Sequence, residues 1–157
     1  MKAVIDLNPD FNEFVKSFVE NGVRFLLVGS FALAAHGLSR YTGDLDAWVW
    51  TDGDNARRIV TALSALGFGS LGLTVADFAG PDVVGQLGYP PLRIDVLTSI
   101  DGVTVADAWP RRMIFTLDGR DVPCIGRDDL LATTRAADRP RDRADAARLV
   151  AATVDEL

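Results

Sequence analysis

Residues 27–46 read Leu27-Val-Gly-Ser-Phe-Ala-Leu-Ala-Ala-His-Gly-Leu-Ser-Arg-Tyr-Thr-Gly-Asp-Leu-Asp46. The stretch opens on the end of an apolar run, Arg24 to Val28, too short for a helix and suited to a buried strand. Gly29-Ser30 breaks it, and Phe31 to His36 has the small-residue content of a short helix closed by Gly37. A strand that turns through Gly-Ser into a helix presents free backbone N–H groups and partial positive charge, a setting that suits phosphate. The same dipeptide also serves as a plain helix cap, with Ser30 as the capping side chain.

The next segment, Asp44-Leu-Asp-Ala-Trp-Val-Trp50, alternates. Leu45, Ala47 and Val49 fall on one face of a strand, and Asp44, Asp46, Trp48 and Trp50 on the other. Two carboxylates projecting together repel each other unless a cation neutralises them. Hard oxygen donors of this kind suit Mg²⁺, which commonly takes one or two carboxylates plus substrate phosphates. A solvated acidic edge strand would give the same triplet. A third carboxylate, Asp95, sits inside the apolar run Leu92 to Leu97. Asp is depleted in strands, and a buried one needs a metal or a partner such as Arg93.

Outward from these residues the chain reads as one domain over 1–157. Asn8-Pro9-Asp10 predicts a helix start, with Phe11, Phe14, Val15, Phe18 and Val19 on its apolar face and Asn21-Gly22 at its end. Asp52 or Asp54 caps the helix that buries Ala56, Ile59, Val60, Leu63 and Leu66, and Gly67 stops it. Residues 68–91 are rich in Gly and Pro and read as a long loop with one short helix near Val75 to Phe78. Thr104 to Trp109 reads as a helical turn. Asp118-Gly119 between Met113–Leu117 and Arg120–Ile125 predicts a two-residue hairpin. Arg127-Asp128-Asp129 caps a helix to about Ala137. Pro140 opens the last helix, with Ala144, Ala147, Leu149 or Val150 facing inward.

The chain has 157 residues, 48% hydrophobic and 24% charged, which is ordinary for a globular domain and excludes a disordered chain. No apolar run is long enough to span a bilayer, so no membrane association is expected. Lys2 is followed almost at once by Asp6 and Asp10, unlike a signal peptide. With a net charge of −6 and a pI near 4.6, non-specific DNA binding is not expected. Of the 22 acidic residues 19 are Asp, a composition that coding bias explains for the most part. Cys124 is the single cysteine, consistent with a reducing cytoplasm.

Three motifs together, Val28-Gly29-Ser30, Thr42-Gly43-Asp44-Leu45-Asp46 and Ile94-Asp95-Val96, resemble the signature of the nucleotidyltransferase superfamily with the DNA polymerase β-like fold. The longer stretch 27–46 is similar to small bacterial stand-alone proteins of the AbiEii type, and residues 129–145 look like their C-terminal helix pair. The resemblance covers most of the chain and is weakest over 68–91. It implies an α+β fold, a mixed sheet flanked by helices with a C-terminal helix pair. It also implies a Mg²⁺-dependent, two-metal transfer of a nucleoside monophosphate from an NTP to an acceptor hydroxyl on RNA, protein or a small molecule. Asp44, Asp46 and Asp95 would be the catalytic and metal-binding residues. Gly29, Ser30, Arg40 and Thr42 would bind the nucleotide. A toxin–antitoxin or phage-defence setting would follow from the AbiEii likeness. An antibiotic nucleotidyltransferase shares the Arg40-to-Asp46 spacing, and a non-catalytic nucleotide- or partner-binding module could share the fold. The chain departs from its relatives at Thr134, where many carry Lys, with Arg135 next to it as the expected substitute.

His36, the single histidine, stands at a helix end and is expected to make a local hydrogen bond. Trp48 and Trp50 are expected to pack. The arginines from Arg135 to Arg148 alternate with aspartates, as on a salt-bridged helix surface, though a basic edge for phosphate would have the same composition.

Overall fold

The computed structural model describes residues 4–5, 9–38, 44–89 and 92–155. Arg40 and Thr42 lie outside these residues. Along the chain, β1 (Val4–Ile5) is followed by α1 (Pro9–Glu20), β2 (Phe25–Val28), α2 (Gly29–Ala35), β3 (Asp44–Val49) and α3 (Gly53–Ala65). Two short 3₁₀ turns, Gly69–Leu71 and Val75–Phe78, lead into β4 (Val84–Tyr89) and β5 (Leu92–Leu97). The remainder is α4 (Val105–Ala108), a 3₁₀ turn at Trp109–Arg111, β6 (Met113–Leu117), β7 (Arg120–Cys124), α5 (Arg127–Ala137) and α6 (Pro140–Asp155).

The strands form one mixed sheet in the order β1-β6-β7-β2-β3-β5-β4. At its centre β2 runs parallel to β7 and antiparallel to β3, and β3 runs parallel to β5. All four residues of β2 are buried, as a strand covered on both faces requires. Helix α1 turns Phe11, Phe14, Val15 and Phe18 inward, and Phe18 meets Phe25 edge-on at 5.5 Å between ring centres. Ser17 donates to the Ala62 carbonyl at 3.0 Å, tying α1 to α3. These two helices cover the sheet face that carries Ile94, because Phe11, Phe14, Leu66 and Ile94 line one apolar cavity. Strand side chains alternate, so Asp95 points to the other face, toward α5 and α6.

Local signals explain most element ends. Gly22 takes φ +67 after α1, and Val23 closes back on Phe18 with a 3.0 Å backbone hydrogen bond. Asp52 caps α3 by accepting from the Asn55 amide at 2.9 Å. Both hairpin residues, Asp118 at φ 51 and Gly119 at φ 74, adopt the left-handed conformation of a tight two-residue turn.

Four expectations are corrected. Residues 68–91 are not a loop throughout: Val84–Tyr89 forms β4, an edge strand paired antiparallel with β5. Its glycines break the apolar alternation, and hydrogen bonding to β5 supplies the order instead. Ser30 does not cap α2; the capping position is Val28, with no side-chain hydrogen bond. The cap of α5 is Gly126, also without a side-chain bond. Asp129 turns instead to Arg111, which donates to it from two nitrogens at 3.0 and 2.7 Å. On α6 the buried positions are Asp142, Asp145, Ala146 and Leu149, while Ala144, Ala147 and Val150 are exposed. A pattern of small apolar residues pointed to the wrong face because two aspartates occupy the inner one.

Candidate functional site

Strand pairing assembles the site. In the β3–β5 register Asp44 lies opposite Arg93, and Asp46 lies opposite Asp95. The spacing is two residues on each strand, so all four side chains share a face. They line a cleft of about 490 Å³ between the sheet and the α5–α6 corner.

The backbone entering the cleft is fitted to this arrangement. Val28 ends β2 opposite Asp46, and the next residue, Gly29, has φ +68. A Cβ at Gly29 would overlap the Asp46 carboxylate. Glycine is required here for two reasons, the left-handed backbone and the space that Asp46 fills. Ser30 is half-buried and does not line the cleft.

The carboxylates are held in a state that favours a cation. Burial, followed by the charges of Asp95 and Asp44, pushes the Asp46 carboxyl up to about 7, and Arg93 opposes this. Burial also raises Asp95, against the pull of Arg93. The two carboxyls face each other across the strands, and the charge of Asp95 is the second cause of the Asp46 shift. Arg93 Nη2 stands 3.3 Å from Asp95 Oδ2, and its Nε stands 3.7 Å from Asp44 Oδ1. One oxygen of Asp95, Oδ1, is buried with no hydrogen-bond partner. An orphaned carboxylate oxygen beside a second carboxyl fits a divalent cation, since the donors are all hard oxygens. The geometry is not that of a finished cage: among the described residues no three acidic, His or Cys side chains stand close enough together to hold an ion as they are.

The opposite wall comes from the C-terminal helices. Thr133, Thr134, Arg139 and Arg141 line it, and Ser99 and Asp101 stand at one end. Thr134 is buried and donates to the Leu130 carbonyl at 2.6 Å. Arg135, the expected substitute for the missing lysine, is exposed and does not line the cleft. Of the helix arginines, Arg139 pairs with Asp142 at 2.6 Å and Arg143 with Asp138 at 2.8 Å. These are the salt bridges that the composition predicted. Arg141 lines the cleft and makes no hydrogen bond or ion pair among the described residues. Sequence spacing could not separate it from its neighbours, because the turn between α5 and α6 decides which arginine faces inward.

Several single residues have structural roles. His36 Nε2 bonds the Ile125 carbonyl at 2.8 Å and its ring meets Phe115 edge-on. Trp48 is buried, and Trp50 packs between Trp48 and Trp109. Burial pushes the Cys124 thiol up, so it stays protonated. The apolar cavity of about 470 Å³ lies across the sheet from the carboxylates. No helix among the described residues is long and apolar enough to cross a membrane.

No known family profile and no curated protein sequence matches the chain. Solved structures do. The lincosamide antibiotic adenylyltransferase LnuA, bound to lincomycin, superposes with a TM-score of 0.57 at 13% identity, over 91% of this chain and 96% of that one. The antibiotic-resistance factor ANT(2'')-Ia matches at 0.54 and 14% identity, over 92% of this chain and 82% of that one. A Thermotoga maritima protein assigned as a nucleotidyltransferase matches at 0.54 and 13% identity, over 94% and 91%. At these identities the likeness concerns the backbone. The chain adopts the α+β nucleotidyltransferase fold, a mixed sheet flanked by helices.

Proposed function

We propose that this protein is a Mg²⁺-dependent nucleotidyltransferase that moves a nucleoside monophosphate from an NTP to the hydroxyl of a small-molecule acceptor. The observation that carries the reading is the in-register meeting of Asp44, Asp46 and Asp95 in one cleft, with Gly29 folded against Asp46. Three carboxylates that cannot all ionise comfortably are ready to take a divalent cation. When bound, Mg²⁺ would polarise the phosphate and offset the developing charge, and Asp44, Asp46 and Asp95 would hold it. Asp95, with one oxygen unpartnered, would accept the proton of the attacking hydroxyl. Arg141 and the paired Arg139 face the carboxylates across the cleft and would take the phosphate tail. Gly29, Ser30, Arg40 and Thr42 are further proposed nucleotide-binding residues.

In the transfer, the acceptor oxygen forms a bond to the α-phosphorus as the bond from that phosphorus to the bridging oxygen breaks. Pyrophosphate leaves with the electron pair, and the hydroxyl proton passes to the carboxylate.

A small molecule is favoured over RNA because the chain is acidic overall, one structural neighbour is a lincosamide antibiotic adenylyltransferase bound to lincomycin, and another is an antibiotic-resistance factor. The AbiEii-type setting would call for an RNA acceptor. The substrate NTP places the reaction in the cytoplasm. The test is mass spectrometry of lincosamide, aminoglycoside and tRNA acceptors incubated with NTP and Mg²⁺. A small molecule heavier by one nucleoside monophosphate supports the reading. Modification of tRNA alone supports the AbiEii-type alternative. NTP binding with none of these acceptors modified supports the non-catalytic binding module.

A further inference from the structure

We infer that Arg93 stands in for the cation nearer Asp95, so that this chain loads one divalent ion on its carboxylates rather than two. The inference rests on the reading of Asp44, Asp46 and Asp95 as a metal site. The four side chains form a square on one sheet face: Asp44 is paired in register with Arg93, and Asp46 with Asp95. The guanidinium bridges the diagonal, with contacts to Asp95 at 3.3 Å and to Asp44 at 3.7 Å. An ion bound between Asp44 and Asp95 would have to displace this group. An ion on the Asp44–Asp46 side would not.

Charge points the same way. Fully ionised, three carboxylates and one guanidinium leave two negative charges, which a single divalent ion cancels. A second divalent ion would make the set positive before any phosphate arrived. Arg93 also keeps its charge: the guanidinium, unlike a lysine ammonium, stays protonated when partly buried. Arg93 is therefore a positioning residue: it holds Asp95 and occupies the place that a second ion would take.

The test counts bound Mn²⁺ by electron paramagnetic resonance on the full chain. Ions held by the acidic surface are removed by subtracting the count for the double variant Asp44→Asn/Asp46→Asn. Wild type should bind one ion above this baseline. Arg93→Gln, checked for folding by its melting transition, should bind two. Two ions in wild type, or one in both wild type and Arg93→Gln, would overturn the role of Arg93 while leaving the metal site intact. No ion above baseline in wild type would overturn the metal site itself, and with it the proposed function.

Discussion

Asp46 on β3 lies directly opposite Asp95 on β5, and burial beside that second carboxyl raises the Asp46 pKa. Protonation of Asp46 does part of what a cation would do: it relieves the repulsion between two facing carboxylates. The resulting pH dependence has a definite sign. The Asp46 pKa is raised from 3.8 to about 7, so folding favours its protonated form. The stability this confers is complete below about pH 4 and is lost as pH rises through about 7. Asp46→Asn keeps a neutral side chain of the same shape without the titration. The metal-free variant should therefore match wild type in melting temperature near pH 4 and exceed it at pH 8. A constant difference across this range would show that Asp46 does not titrate there.

Gly29→Ala tests the fit between the β2–α2 turn and the carboxylate. The left-handed backbone at φ +68 costs an L-residue about 1–2 kcal/mol. The added Cβ must also push Asp46 aside. Chemical denaturation should show at least this loss, and Mn²⁺ affinity should fall with it. Full stability with unchanged Mn²⁺ binding would mean that the turn relaxes freely.

Asn55 tests what holds the site-bearing strands at their far end. It is fully buried. Its Oδ1 accepts from the Arg24 amide at 2.7 Å, and its Nδ2 donates to the carbonyls of Arg24 at 3.0 Å and Trp50 at 2.9 Å. Asn55→Ala leaves these backbone groups without partners and should cost about 2–3 kcal/mol in denaturant unfolding. A loss below half a kcal/mol would show that water replaces the side chain.

Arg141 separates binding from folding. It makes no hydrogen bond or ion pair among the described residues, so Arg141→Ala should leave the melting temperature unchanged. Loss of a charged contact to phosphate should raise KM for the NTP by about 10-fold or more, with a smaller effect on kcat. An unchanged KM would remove Arg141 from the nucleotide site.

The carboxylates were legible in the sequence because an Asp inside an apolar strand is anomalous in itself, and because period-two alternation assigns Asp44 and Asp46 to one face. The register that sets Asp46 against Asp95 was not legible, since it depends on β3 and β5 running parallel as neighbours. Strand β4 was hidden by Gly85, Gly88 and Gln86, whose order comes from pairing with β5 rather than from side-chain pattern. Ser30 is not the helix cap for a physical reason: Gly29 already begins α2, which moves the capping position back to Val28. Arg141 and Arg139 look alike in sequence, and only the folded α5–α6 corner, with Asp138 at φ 49, distinguishes the paired arginine from the one that is not.

The central claim is that the Asp44–Asp46–Asp95 cleft transfers a nucleoside monophosphate, and α-labelled against γ-labelled NTP tests it most directly. Wild-type protein with Mg²⁺ and a cell extract should move the α-label onto an acceptor and release the γ-label as pyrophosphate, and Asp46→Asn should do neither. Transfer of the γ-label instead, no transfer from any common NTP, or equal transfer by Asp46→Asn would contradict it.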